Sequence, residues 1–358
     1  MKSNIQFYAG EKALAHIKKH GLSVNDIQAV YGASGAAKWL AIYGLDQAVF
    51  GHWLAQAEHI IDVYGTSVGA FKLSAAVGNQ PVEDLTSLAD AYVEQHYEGK
   101  ITRSDVDRET HRILDSILTE DAIAGILDNS RFRYHCGVVR CHGLLASQQD
   151  FLQKMGMVTS FGHSMTGRSG HTKVLDRVIF SSDLKHSTLT GRDDFTTNVV
   201  QLDQQNIRQA ITASGSIPVV MQGVHDIPGA GPGVYHDGGL LDYHPVPDNI
   251  QPASEGIVLY PHFYPYLKEG WFDKFYPWRK LSPQRLSNVL MVSPSSQYVA
   301  SLPGGYIPDR QDFKRFAKDN AKRKQRWREV MLRSQDMGEE FLQIVKSGDV
   351  FAHIKPFS

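Results

Sequence analysis

Between residues 27 and 78 the chain twice runs from a short apolar stretch through a glycine-containing turn into a helix-patterned segment. The first pass is the buried-looking run around QAVYGAS, followed by AAKWLAIYGLDQAV (36–49), where Trp39, Leu40, Tyr43 and Val49 share one helical face. The second is HIIDVY (59–64), the turn GTSVGA and then VGAFKLSAAVG (68–78), whose small residues suit close packing on a sheet. Repetition of strand, turn and helix predicts a parallel α/β sheet with its site at the carboxyl ends of the strands.

The remaining pattern extends this reading. Residues 80–128 carry helical periodicity. YHCGVVR (from 134), KVLDRVIFSS (from 173) and TTNVVQLD (from 196) read as strands, and QQNIRQAITAS reads as a helix ending near Gly215. GGLLDYHPV, EGIVLYPHFY and NVLMVSPS read as further strands or strand ends, and the last ordered element reads as one long helix from about 309 to 347. The polar stretch SFGHSMTGRSGHTK (160–173) is a candidate mobile loop.

Composition narrows the function classes. With 358 residues, 42% of them hydrophobic, the chain can bury a large core. A formal net charge of −1 gives no basic field for nucleic acid. Two cysteines exclude a disulfide framework and fit a reducing compartment. The N-terminal residues lack an apolar leader, and no run approaches the ~20 apolar residues of a membrane span. The expectation is a soluble, cytoplasmic protein.

The segment IDVYGTSVGA (61–70) sets Ser67 between Gly65 and Gly69 at the end of an apolar run. A serine hydroxyl becomes a useful nucleophile when it is oriented, deprotonated and faced with donors for the oxyanion it creates. A sharp strand-to-helix turn orients it and aims N–H groups at the incoming carbonyl, and the close backbone approach favours glycine on both flanks. The alternative is a plain glycine-rich turn. His244, His262 and His353 sit in no convincing turn for a triad. Asp237, before Gly238 and Gly239 in VYHDGGLLDYHPV (234–246), can serve as a direct general base if it reaches the serine. An ordinary Asp-Gly turn is the competing reading.

In this order, three blocks resemble the patatin-like phospholipase family of lipid acyl hydrolases: GTSVGA, AITASGSIPVVMQGV (210–224) and DGGLLDYHPV. The similarity spans roughly residues 27 to 250. It implies a three-layer α/β/α fold around a mostly parallel sheet, with residues 1–250 as catalytic domain and 251–358 as an extension packed on it. It also implies a serine esterase of the lipase or phospholipase A type, with Ser67 as nucleophile and Asp237 as proton acceptor, needing no metal or cofactor. Oxyanion donors are implied at Gly32, Ala33, Ser34, Gly35, Ala36 and Val68. The turn YGASGAAKW (31–39) departs from the family in lacking a basic residue near Ala36; Lys38 lies two places later. A lipid-binding or protein-binding scaffold without activity is the alternative. A phosphate-binding loop ranks behind it, because GASGAAK lacks the Gly-Lys-Ser/Thr ending.

Other clusters carry less. Cys136 and Cys141 fall on opposite faces of a strand, which disfavours a shared metal. The aromatic run YPHFYPYLKEGWFDKFYPW (260–278) fits an acyl pocket or lipid interface, or simple core packing. The basic segment FKRFAKDNAKRKQRWREVM (313–331) fits transient contact with an anionic membrane surface, or the solvated face of a packed helix. The sequence displays no charged head-group clamp, so acyl-chain length is expected to dominate selectivity.

Overall fold

The computed structural model describes residues 3–357 apart from 100, 166, 187–188 and 252–255. Its strands are β1 (Ile5–Ala9), β2 (Ile27–Gly32), β3 (Ile61–Thr66), β4 (Phe132–Cys141), β5 (Leu175–Ser181), β6 (Thr190–Gly191), β7 (Thr197–Gln201), β8 (Val224–His225), β9 (Val234–Asp237), β10 (Ile250–Gln251), β11 (Ile257–Pro261), β12 (Val289–Pro294) and β13 (Ile354–Pro356). Eleven of them form one mixed sheet in the order β13-β1-β12-β11-β2-β3-β4-β5-β7, with β9 beside β4 and β8 beside β9; β6 and β10 pair separately. The central run from β12 to β4 is parallel. β3, β11 and β12 are buried at every position, so both faces of the sheet centre are covered.

Residues on either side of 250 share this sheet. β11 and β12 lie between β1 and β2, and β13 returns to the outer edge of β1. Helix Val68–Ala76 packs on β3 and helix Ile207–Gly215 on β4. Among the described residues no helix is long and apolar enough to cross a membrane.

Two sequence expectations are corrected. The C-terminal helix is broken into Asp312–Arg315, Asn320–Arg333 and Gln335–Ser347. Its second break falls at Ser334, whose hydroxyl accepts from Gly44 N–H at 2.8 Å, while Gly338 approaches the Gly44 carbonyl too closely for any side chain. The stretch 160–173 is not simply a loop: helix Asp150–Ser164 covers its start, and a helical turn spans Arg168–His171. GGLLDYHPV begins at a strand end: β9 stops at Asp237, and Gly238–Leu240 makes a helical turn directly after it.

Candidate active site

β3 ends at Thr66, and the helix begins at Val68. Ser67 joins them at φ 55° and ψ −133°, a region that L residues avoid at a cost of roughly 1–3 kcal/mol. The flanking glycines have a steric cause. A Cβ on Gly65 would lie 2.5 Å from the Gly69 carbonyl carbon, and one on Gly69 would overlap the Gly32 carbonyl. The ends of β2 and β3 and the first helical turn therefore pack backbone on backbone, and only glycine permits it.

Asp237 reaches this turn through strand register. On β4, Gly137 pairs with Thr66 of β3, and the next residue, Val138, pairs with Asp237 of β9. β3 runs parallel to β4 and β9 antiparallel, so the two carboxyl ends meet head on. The Ser67 hydroxyl donates to Asp237 Oδ2 at 2.8 Å, and both residues are buried. Oδ1 accepts from Gly239 N–H at 2.7 Å. Burial pushes the Asp237 carboxyl up to about 6, against the stabilising hydrogen bonds from Ser67 and Gly239. Gly238 is as constrained as the first pair, since a Cβ there would overlap the Gly137 carbonyl; one on Gly239 would lie 2.5 Å from the side-chain Ser34 Oγ.

A second layer of contacts holds the turn. Ser214 accepts from Ser67 N–H at 3.0 Å and donates to the Gly137 carbonyl at 2.7 Å. Asp242 binds buried Arg177 through both oxygens, at 2.7 and 2.9 Å, and its carbonyl accepts from the Thr66 hydroxyl at 2.7 Å. Ser214 lies in the second sequence block, but its support of the Ser67 backbone had no signal beyond that block.

The implied oxyanion residues separate into two groups. Gly35 and Ala36 line a cavity with Ser67, and Val68 lines an adjoining one. Ala36 has φ 51°, which turns the chain from the β2 end into the helical run 36–42. Gly32 is the last residue of β2, and Ala33 is buried behind it; neither lines a cavity with Ser67. The expected donor at Ser34 is corrected: its N–H donates to the Tyr243 carbonyl at 2.8 Å, and its hydroxyl contacts Thr66 Oγ1 at 2.9 Å.

Two cavities meet at Ser67. One, of about 540 Å³, holds Asp237, Gly35, Lys38, Lys274 and Arg310 on its walls. The other, of about 360 Å³, is lined by Val68, Phe71, Tyr92, Ile113, Met221 and Trp327 among others and is bordered by Arg310 too; apolar atoms dominate both linings. No histidine lines either among the described residues. Cys136 and Cys141 are buried free thiols. In the basic C-terminal segment, Lys324 and Arg328 pair with Glu94, Arg326 pairs with Asp312, and Arg323 donates to the carbonyls of Val93 and Gln95.

No family model matches the chain, and no curated protein matches it. Among solved structures the chain is similar to VipD from Legionella pneumophila, at 15% identity over 75% of this chain and 54% of that one, with a TM-score of 0.33. The chain spans about half the length of VipD (54%), and a likeness this distant carries no argument about activity.

Proposed function

We propose that the chain is a serine acyl hydrolase of carboxylic esters, a diverged patatin-like enzyme with that family's three-layer arrangement. The observation that carries the proposal is the 2.8 Å hydrogen bond from the Ser67 hydroxyl to Asp237 at a strained strand-to-helix turn. Ser67 Oγ attacks the ester carbonyl carbon while Asp237 Oδ2 takes its proton. N–H groups of Gly35, Ala36 and Val68 are the candidates to hold the oxyanion, since these residues line the cavities at Ser67. Collapse of the tetrahedral intermediate breaks the bond to the alcohol, which leaves with the proton from Asp237. Water then attacks the acyl-serine, gives its proton to Asp237, and the acid departs as the proton returns to Ser67.

The cavity lined by Phe71, Ile113 and Trp327 suits an acyl chain, and the cavity bearing Asp237, with more basic side chains on its wall, suits the alcohol portion. A lipid surface is a fitting source of such an ester. Phe151 and Val158 stand 71% and 70% exposed on helix Asp150–Ser164, and Met157 and Val158 of that helix line the catalytic cavity. Trp278 is also 72% exposed. In the patatin-like reading residues 1–250 carry the dyad, and 251–358 add Lys274 and Arg310 to its cavity.

The test is turnover of p-nitrophenyl butyrate by the wild type beside Ser67→Ala and Asp237→Asn. Hydrolysis that disappears in both variants supports the enzyme. A wild type that releases no nitrophenol leaves a silent scaffold.

A further inference from the structure

We propose that the alcohol side of the catalytic cavity is a subsite for an anionic group, phosphate or carboxylate, bound by Lys38, Lys274 and Arg310. The proposal rests on the hydrolase reading for its meaning, because it assigns the class of ester, but its test does not depend on catalysis.

The three cations come from distant segments. Lys38 follows the Gly32–Gly35 turn, Lys274 sits in the helical turn Phe272–Phe275, and Arg310 precedes helix Asp312–Arg315. All three line the cavity that contains Ser67 and Asp237, as does a fourth basic side chain, Lys154. Lys38 Nζ lies 5.8 Å from the ring centres of both Phe263 and Tyr264, and Lys274 Nζ lies 3.2 Å from that of Tyr243. Aromatic faces orient a cation without neutralising it.

Among the described residues none of the three has a carboxylate within 4.0 Å. The cavity wall carries two carboxylates, and both are engaged. Asp237 accepts from Ser67 and Gly239, and Asp309 pairs with Arg315 at 2.9 Å. Four basic side chains thus share one space with two carboxylates, which favour the Lys274 and Lys38 cations only in part, and the excess of basic groups becomes favourable when an anion enters.

The electrostatics agree. Burial first, then the charges of Lys38 and Arg310, push the Lys274 ammonium down to about 6, with Asp237 opposing. Burial also lowers Lys38, with Arg310 adding to it and Asp309 opposing. Lys274 is exposed and is mainly neutral above about pH 6 until an anion arrives. An arriving anion reverses these penalties, and the planar guanidinium of Arg310 can bind an oxyanion through two parallel hydrogen bonds. The sequence expectation that no head-group clamp exists is thereby replaced, since residues 38, 274 and 310 cluster only in the fold.

The experiment uses non-hydrolysable ethers with the full chain, so binding is read without turnover. Calorimetry compares the hexyl ether of glycerol phosphate with the hexyl ether of glycerol, and inorganic phosphate is added as competitor. Charge-assisted hydrogen bonds of ~1.5–3 kcal/mol predict roughly 10- to 100-fold tighter binding of the phosphate ether. Lys274→Ala and Arg310→Ala each reduce that ratio. Displacement by inorganic phosphate assigns the subsite to phosphate as such, and displacement only by the phosphate ether assigns it to the head group of an amphiphile; both support it. Equal affinity for the two ethers, or a preference that survives both substitutions, overturns the proposal. Absence of p-nitrophenyl ester turnover tells against the hydrolase reading and leaves the ether comparison intact.

Discussion

Replacing Asp237 by asparagine is expected to make the protein more stable and inactive at once. The carboxyl has an ordinary value of 3.8 and is raised to about 6 in the fold, chiefly by burial. Keeping it ionised above pH 6 therefore costs the native state roughly 3 kcal/mol relative to the unfolded chain. The native state holds a proton between pH ~4 and ~6 that the unfolded state has released. The group's stabilising contribution is thus complete below about pH 4 and is lost as pH rises through about 6. Asparagine keeps an oxygen for Gly239 N–H and carries no charge. At pH 8 the variant should melt roughly 4 °C above wild type, given the entropy of unfolding a chain of this size. The gap should close as pH falls towards 4. Thermal scans of both proteins from pH 4 to 8 measure the difference, in which the titrations of all other groups cancel. In wild type, kcat/KM should fall below about pH 6 as Asp237 protonates. A variant that is less stable than wild type at pH 8, with a pH-independent gap, refutes the reasoning.

Other perturbations probe the geometry around the dyad. Gly69→Ala drives a Cβ into the Gly32 carbonyl, and neither backbone can yield, so about 3 kcal/mol of stability should be lost in denaturant titrations. Ser214→Ala leaves the Ser67 N–H and the Gly137 carbonyl without their shared partner, which should cost roughly 1–3 kcal/mol and lower kcat more than it raises KM. Phe151→Asp and Trp278→Asp act on exposed residues outside the catalytic cavity, so they should leave turnover of a soluble ester within about twofold. Each should weaken co-sedimentation with lipid vesicles by about tenfold or more, because one buried large side chain contributes ~1.5–3 kcal/mol.

The part of the fold nearest the site was written locally. Apolar runs at 27–32 and 61–66, their glycines and the small-residue helix specify β2, β3 and the turn without help from distant residues. Asp237 was legible because paired glycines follow it, and the first of them, Gly238, marks a place where backbones touch. What joins Ser67 to Asp237 was not: the meeting depends on consecutive positions, Gly137 and Val138, of a third strand. The placement of β11 and β12 between β1 and β2 is a matter of strand order, which local periodicity does not encode. The broken C-terminal helix escaped for a related reason. Its pattern is helical throughout, and the break at Ser334 answers to Gly44, far away in sequence. The cation cluster is the clearest case, since isolated lysines and an arginine carry no signal until the cavity assembles them.

Exposure to a fluorophosphonate, followed by digestion and mass spectrometry, asks the central question directly: whether the hydroxyl at position 67 is chemically activated. The account predicts a covalent adduct on Ser67 in wild type, a much slower reaction in Asp237→Asn, and none at that position in Ser67→Ala. An unlabelled Ser67 in folded wild-type protein, or an adduct carried by a different serine, would contradict it.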